Sequence, residues 1–167
     1  MKTKIAFLFT LLTKDSLRFS MPIIVATFAC LTAAPAMAAE VITMEMESQV
    51  LDLDSGNVVD SAPQDWASAA GADVKLAYNA DRIPHTVVFP VGEAVELAFI
   101  ASVGYNGIFS SDIPNLVFSS EPIDMPFSAN DCVVIRTDQG AVFKLGNAVE
   151  SGSTVTFTYA TLSGGGS

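Results

Sequence analysis

Two aspartates directly before a glycine turn are the residues best suited to chemistry. Asp52 and Asp54 stand at alternate positions, so a strand would direct both carboxylates to one face. Oxygen ligands at this spacing can begin a calcium loop. A loop of the EF-hand type also needs a ligand where Gly56 stands and a later bidentate glutamate, and the chain supplies neither. The simpler alternative is a tight turn in which Asp54 accepts a hydrogen bond from the backbone ahead of Gly56.

Other reactive side chains are few. His85 is the single histidine, no G-x-S-x-G segment accompanies it, and next to Pro84 we expect it to be an exposed loop residue. Zinc needs three or four ligands, usually several histidines or cysteines. No pair of acidic residues is singled out for glycoside hydrolysis, and a small domain leaves little room for a substrate cleft. We therefore predict no catalytic residues, no cofactor and a protein that is not an enzyme.

Cys132 is the one cysteine that follows the N-terminal leader, so no disulfide within the mature chain is expected. It opens the apolar run Cys132-Val133-Val134-Ile135, and cysteine is among the most buried residue types. We predict a buried thiol and a monomer. Pairing between chains is the alternative.

Short alternating segments supply the elements that must position these residues. The clearest is 154–160, in which Val155, Phe157 and Tyr159 share one face of a strand. Segments 132–137 and 141–145 flank Asp138-Gln139-Gly140, which predicts a hairpin. Further strands are predicted at 73–78 and 86–89. Segment 93–101 suits a helix or a strand, and we interpret it as a strand because glycines bound it closely.

The segments 41–47 and 50–54 also alternate, but the apolar parity changes between them, which predicts a bulge or bend near Ser48-Gln49. Segment 61–71 lacks a period of two and is expected to form a loop or one helical turn. The pattern predicts an all-β fold, a single antiparallel β-sandwich of about eight to ten short strands. Its domain is expected to span 39–162, followed by a flexible tail at 163–167.

Residues 1–38 have the pattern of a secretory signal peptide. Basic residues precede the apolar run 21–31, and Ala36-Met37-Ala38 fits the small-residue cleavage site. The run is shorter than the roughly 20 residues of a membrane-spanning helix, so we predict no membrane span after cleavage. The alternatives are a retained anchor and a lipid on Cys30, whose surroundings lack the usual leucine three places earlier. The predicted location is periplasmic or extracellular.

The charge of the mature chain narrows the range of partners. Four basic and seventeen acidic residues remain after residue 38, which gives a net charge of −13. Such a domain repels phosphate backbones, so nucleic acid and anionic membranes are excluded as expected partners. High charge also keeps an exported protein in solution. The mature chain is long enough for one core and too short for two.

Four segments resemble a recurrent class of exported bacterial β-modules. They are a D-x-D-x-G opening at 52–56, an A-D-V strand at 72–74, an I-R-T-x-x-G hairpin at 135–140 and a closing strand at 154–159. The resemblance implies the fold and the compartment but no activity. Such modules often bridge a cysteine before the hairpin to one after a Y-x-G turn. Here Tyr105-Asn106-Gly107 precedes Ile108, so that bridge is absent.

The opening and the hairpin also resemble those of secreted haem-scavenging β-proteins, which coordinate iron through side chains including histidine. The function we predict is binding to a protein or surface partner, or a structural role at the cell surface or outside the cell. The second alternative is a carrier that holds haem or an apolar molecule between the sheets, and the third is a small secreted hydrolase. A carrier should have a sizeable apolar pocket, whereas a structural module should be packed throughout. Candidate pocket residues are Phe89, Phe99, Tyr105 and Phe109.

Overall fold

A computed structural model describes residues 38–62, 65, 69, 71–123 and 126–164. All of them belong to one compact unit, Ala34–Ser167. The predicted signal peptide lies outside the described residues except for Ala38, and so do the last three residues of the predicted tail. Most of the predicted loop at 61–71 also lies outside them.

The described residues form nine strands in two antiparallel sheets, which confirms the predicted all-β fold. One sheet has five strands in the order β1-β9-β8-β7-β6, and the other has four in the order β3-β2-β4-β5. The strands are β1 (Glu40–Glu45), β2 (Gln49–Asp52), β3 (Asn57–Asp60), β4 (Val74–Tyr78), β5 (Thr86–Pro90), β6 (Glu96–Ile100), β7 (Cys132–Arg136), β8 (Val142–Ser151) and β9 (Thr154–Ser163).

The alternating pattern of β9 places its apolar side chains between the sheets. Val155, Phe157 and Tyr159 are all buried, as predicted, while the threonines between them remain partly accessible. Side chains from both sheets meet them in one core, because each sheet has one apolar face to remove from water. The largest fully buried members of this core include Phe127, Phe157, Met44, Leu51, Leu53, Leu76, Ile135 and Leu145.

The predicted hairpin joins β7 to β8. Gly140 has a φ of 80°, the left-handed conformation that this turn requires and glycine adopts without strain. The ambiguous segment 93–101 contains strand β6, which pairs with β7 along its whole length. Pairing with a neighbouring strand therefore decides a conformation that local propensity leaves open.

The parity change near Ser48-Gln49 marks a crossing between the two sheets. The backbone amide of Met46 donates to Ser153 O (2.8 Å), beside the five-stranded sheet, and that of Glu47 donates to Leu76 O (3.0 Å) in the four-stranded sheet. Glu47 itself has a φ of 66°. The predicted bend is present, but it separates β1 and β2 into different sheets rather than kinking one continuous strand.

The strand directions give the sandwich two distinct ends. The acidic end comprises the β2–β3 turn, the residue before β4 and the β7–β8 turn. The histidine end comprises the end of β4, the start of β5 and the end of β8. Each end connects the two sheets through polar side chains, and these contacts define the candidate sites.

Candidate functional site

At the acidic end, Asp52 closes strand β2 and Asp54 lies in the turn that follows. Asp52 accepts hydrogen bonds from the backbone amide of Ser55 (3.0 Å) and from its hydroxyl (2.7 Å). The expectation that Asp54 serves the turn was wrong, because Asp52 occupies that role. Gly56 has a φ of 72°, and a Cβ there would lie 2.7 Å from the Tyr159 hydroxyl oxygen. The turn thus packs tightly against β9.

Asp73 is a third member of this site, and sequence reasoning missed it. One carboxylate oxygen from each of Asp52, Asp54 and Asp73 lies within 4.8 Å of the other two. In the register of β2 with β4, Leu51 faces Val74, so continuing the ladder brings Asp73 opposite Asp52. The signal in the sequence was an aspartate at the first position of a predicted strand. That this aspartate lies beside Asp52 follows only from the pairing of β2 with β4, which the sequence does not reveal.

Asp73 is almost completely buried, with 1% of its surface exposed. Its Oδ2 accepts a hydrogen bond from the backbone amide of Leu53 (2.8 Å), whereas Oδ1 accepts none from the described residues. The pKa of Asp73 is raised to about 7, chiefly by burial and also by the charges of Asp54, Asp52 and Asp138, against the opposing effect of the Leu53 hydrogen bond. At neutral pH this carboxylate therefore holds a proton part of the time.

Asp54 joins the acidic end to the other sheet. The buried hydroxyl of Thr137, in the β7–β8 turn, donates to Asp54 Oδ1 over 3.3 Å. Burial raises the pKa of Asp54, as do the charges of Asp52 and Asp138, while the Thr137 hydrogen bond lowers it. Carboxylates that repel one another in this way can be neutralised by protons or by a cation. Carboxylate oxygens are the ligands that calcium prefers.

At the histidine end, by contrast, the carboxylate of Glu150 is surrounded by hydrogen-bond donors. Glu150 accepts hydrogen bonds from the backbone amide of His85 (2.8 Å), from His85 Nδ1 (2.7 Å) and from the Thr86 hydroxyl (2.8 Å). Burial raises the pKa of Glu150, but these hydrogen bonds outweigh it and the net shift is downwards. The imidazole also stacks on Tyr78, with ring centres 4.8 Å apart.

His85 is therefore not the exposed loop residue that the sequence predicted. Its side chain is 28% exposed and ties β5 to β8. No local pattern identified Glu150 as its partner, because the two residues belong to different sheets. Among the described residues, the hydrogen-bond partner of the imidazole is this carboxylate rather than a serine hydroxyl.

Cys132 is fully buried in β7, as predicted. Burial raises the pKa of its thiol to about 11, although the charge of Lys144 acts in the opposite direction. The thiolate is the reactive form of cysteine, so this side chain is inert at neutral pH. Its place is in a second apolar cluster on the outer face of the five-stranded sheet.

The aromatic residues considered for a carrier pocket are dispersed. Tyr105 and Phe109 line a cavity of about 320 Å³ on the outer face of the five-stranded sheet. Phe99 packs partly against the main core, and Phe89 lies beneath the ammonium of Lys75, whose Nζ is 5.0 Å from the ring centre. The space between the sheets is occupied by the core side chains themselves.

Neither a known family model nor a curated protein sequence matches this chain. Within the described part of the chain, no helix has the length and apolar character needed to cross a membrane.

Proposed function

We propose that this protein is an exported, non-enzymatic β-sandwich module that acts in binding or as a structural component in the periplasm or outside the cell. The observation that carries this proposal is the filled interior, where large side chains of both sheets pack in one core. Because the interior is filled, a partner would be bound at the surfaces or ends of the sandwich. The two most reactive side chain types support the same view, since His85 is held by Glu150 and the Cys132 thiol is buried.

Export and partner binding are testable together. Full-length protein is expressed in a bacterium with a secretory pathway, and the exported fraction is sequenced from its N-terminus. We expect a start at Ala39 or Glu40, whereas a start at Met1 or a lipidated Cys30 would contradict cleavage. The mature protein, immobilised, should then retain one envelope or extracellular component at a fixed ratio.

Enzymatic turnover would overturn the proposal. Mature protein is incubated with chromogenic esters, phosphoesters and glycosides, and no hydrolysis above buffer is expected. Hydrolysis that disappears in His85→Gln, with circular dichroism unchanged, would identify a small hydrolase instead. Cys132→Ala serves as the matched control, because a buried thiol should contribute nothing to such an activity.

We propose further that the module binds calcium at the acidic end, through Asp52, Asp54 and Asp73. Support comes from three carboxylates converging within 4.8 Å, one of them on the almost completely buried Asp73. Calcium takes six to eight oxygen ligands, so water and neighbouring oxygens would complete the shell. The predicted pair of ligands thereby becomes a set of three.

The calcium proposal is tested by thermal unfolding. Calcium at about 100 times its dissociation constant stabilises the folded state by roughly 2.7 kcal/mol. For a domain of this size that raises the melting temperature by several degrees, since 1 kcal/mol corresponds to about 2 to 8 °C. The rise should disappear in Asp73→Asn and persist in Glu93→Gln, which removes one exposed charge. An unchanged melting temperature at millimolar calcium would restrict the three aspartates to a structural role.

A further inference from the structure

The outer face of the five-stranded sheet is partly covered by the segment between β6 and β7. This segment contains two short 3₁₀ turns, Tyr105–Gly107 and Ser110–Asn115. It lies directly on β8 because Gly146 has no side chain: a Cβ there would be 2.6 Å from Tyr105 Cβ. The glycine at position 146 therefore allows the covering segment to place Tyr105 and Phe109 beside Lys144.

Lys144 projects from β8 into this contact. Its Nζ donates to Tyr105 O (3.0 Å) and Ile108 O (2.8 Å), and lies 4.3 Å from the ring centre of Tyr105 and 5.8 Å from that of Phe109. An ammonium group has three N–H donors, so one remains. Among the described residues Lys144 has no ion pair, although the mature chain carries a net charge of −13.

The cavity beside this ammonium is mainly apolar. It is a depression largely open to solvent rather than an enclosed cavity, and its volume is about 320 Å³. Ile108, Phe109, Ala160 and Leu162 line it together with Lys144. Phe109 is 60% exposed, and its backbone amide is fixed by Asp112 Oδ2 over 2.8 Å. A large aromatic side chain is thus held at the rim in contact with water.

We propose that this cavity binds a small amphipathic carboxylate, such as a free medium-chain fatty acid. Its carboxylate accepts the remaining N–H of Lys144, and its chain packs against Phe109 and Leu162. A single negative charge suits the site, because the acidic surface repels a phosphate dianion more strongly. The inference rests on the binding form of the proposed function and names its ligand. A protein that failed to bind it would still be able to act as a structural module.

Binding is measured by calorimetry and by amide chemical shifts of the folded mature protein, with sodium octanoate as the probe. Octan-1-ol and octylamine are matched controls with the same chain and a neutral or positive head. We expect octanoate to bind at least tenfold more tightly than octanol, and octylamine not to bind. The dissociation constant should fall about fourfold for each methylene from hexanoate to octanoate. Equal affinity for octanoate and octanol, or shifts remote from Tyr105 and Phe109, would overturn the proposal.

Two variants separate the charge from the apolar surface. Lys144→Met should reduce octanoate affinity at least tenfold while leaving octanol affinity unchanged, and Lys75→Met is the matched control because that lysine also lies over an aromatic ring. Phe109→Ala should reduce the affinity for octanoate and octanol alike by about fivefold or more. Because Phe109 is exposed, this second test holds even where Lys144→Met unfolds the covering segment. Octanoate affinity that survives Phe109→Ala would contradict the proposal.

Discussion

The two ends of the sandwich use the same chemical group in opposite ways. At the histidine end, Glu150 accepts three hydrogen bonds and its pKa is lowered. At the acidic end, Asp73 accepts one from Leu53, lies among other carboxylates and has a raised pKa of about 7. Asp73 is almost completely buried, whereas the Glu150 side chain is 18% exposed, so burial and the number of hydrogen-bond donors together decide which protonation state of each carboxylate the fold favours.

The largest expected effect is a pH dependence that originates at the acidic end. A carboxyl with an ordinary pKa of 3.8 that reaches about 7 when folded binds its proton more tightly in the native state. The stabilisation is complete below the unfolded pKa and is lost as the pH rises through about 7. Three pKa units correspond to about 4 kcal/mol. Urea unfolding in the presence of a chelator should show this decline between pH 4 and 7.

Asp73→Asn should remove most of that decline, because the amide keeps the shape and does not titrate. Glu93→Gln is the control for loss of an exposed acid and should leave the slope intact. A slope that persists in Asp73→Asn would show that the ends do not differ as proposed. The histidine end contributes in the opposite sense: the lowered pKa of Glu150 gives stability that is lost as the pH falls through that pKa.

The next effect concerns the donors at the histidine end. Glu150→Ala removes the acceptor of His85 and of the buried Thr86 hydroxyl, and we expect the free energy of unfolding to fall by about 3 kcal/mol. Glu150→Gln should cost less, because one side-chain oxygen still accepts. A loss no larger than that of the exposed control Glu93→Ala, measured by urea unfolding at pH 7, would contradict the role given to Glu150.

The smallest effect compares two threonines, one at each end. Thr86→Val removes a 2.8 Å hydrogen bond to Glu150, and Thr137→Val removes a 3.3 Å one to Asp54. We expect losses of about 2 and about 1 kcal/mol respectively, because the shorter hydrogen bond to a carboxylate is the stronger of the two. Equal decreases in the free energy of unfolding of the two variants, measured in parallel urea titrations, would contradict the difference between the two ends.

Much of the fold was readable from local patterns. Alternation identified the face of β9 that carries Phe157, and Gly140 identified the β7–β8 turn. Cys132 was predicted to be buried, and it is. Of the three aspartates at the acidic end, the sequence indicated Asp52 and Asp54, which lie two positions apart. It did not indicate Asp73, which the pairing of β2 with β4 brings beside them. His85 was misjudged for the same reason, since Glu150 reaches it from the other sheet.

By itself, the sequence determined which faces of the strands are apolar, where the turns fall and how strongly negative the charge of residues 39–167 is. Those properties depend on residue type and on spacing within a few positions. The tertiary structure decided that β1 and β2 belong to different sheets and that three carboxylates converge. It also decided that the Lys144 ammonium lies close to the rings of Tyr105 and Phe109. Each of these contacts joins residues distant along the chain, and their proximity follows from strand order and sheet packing rather than from any local preference.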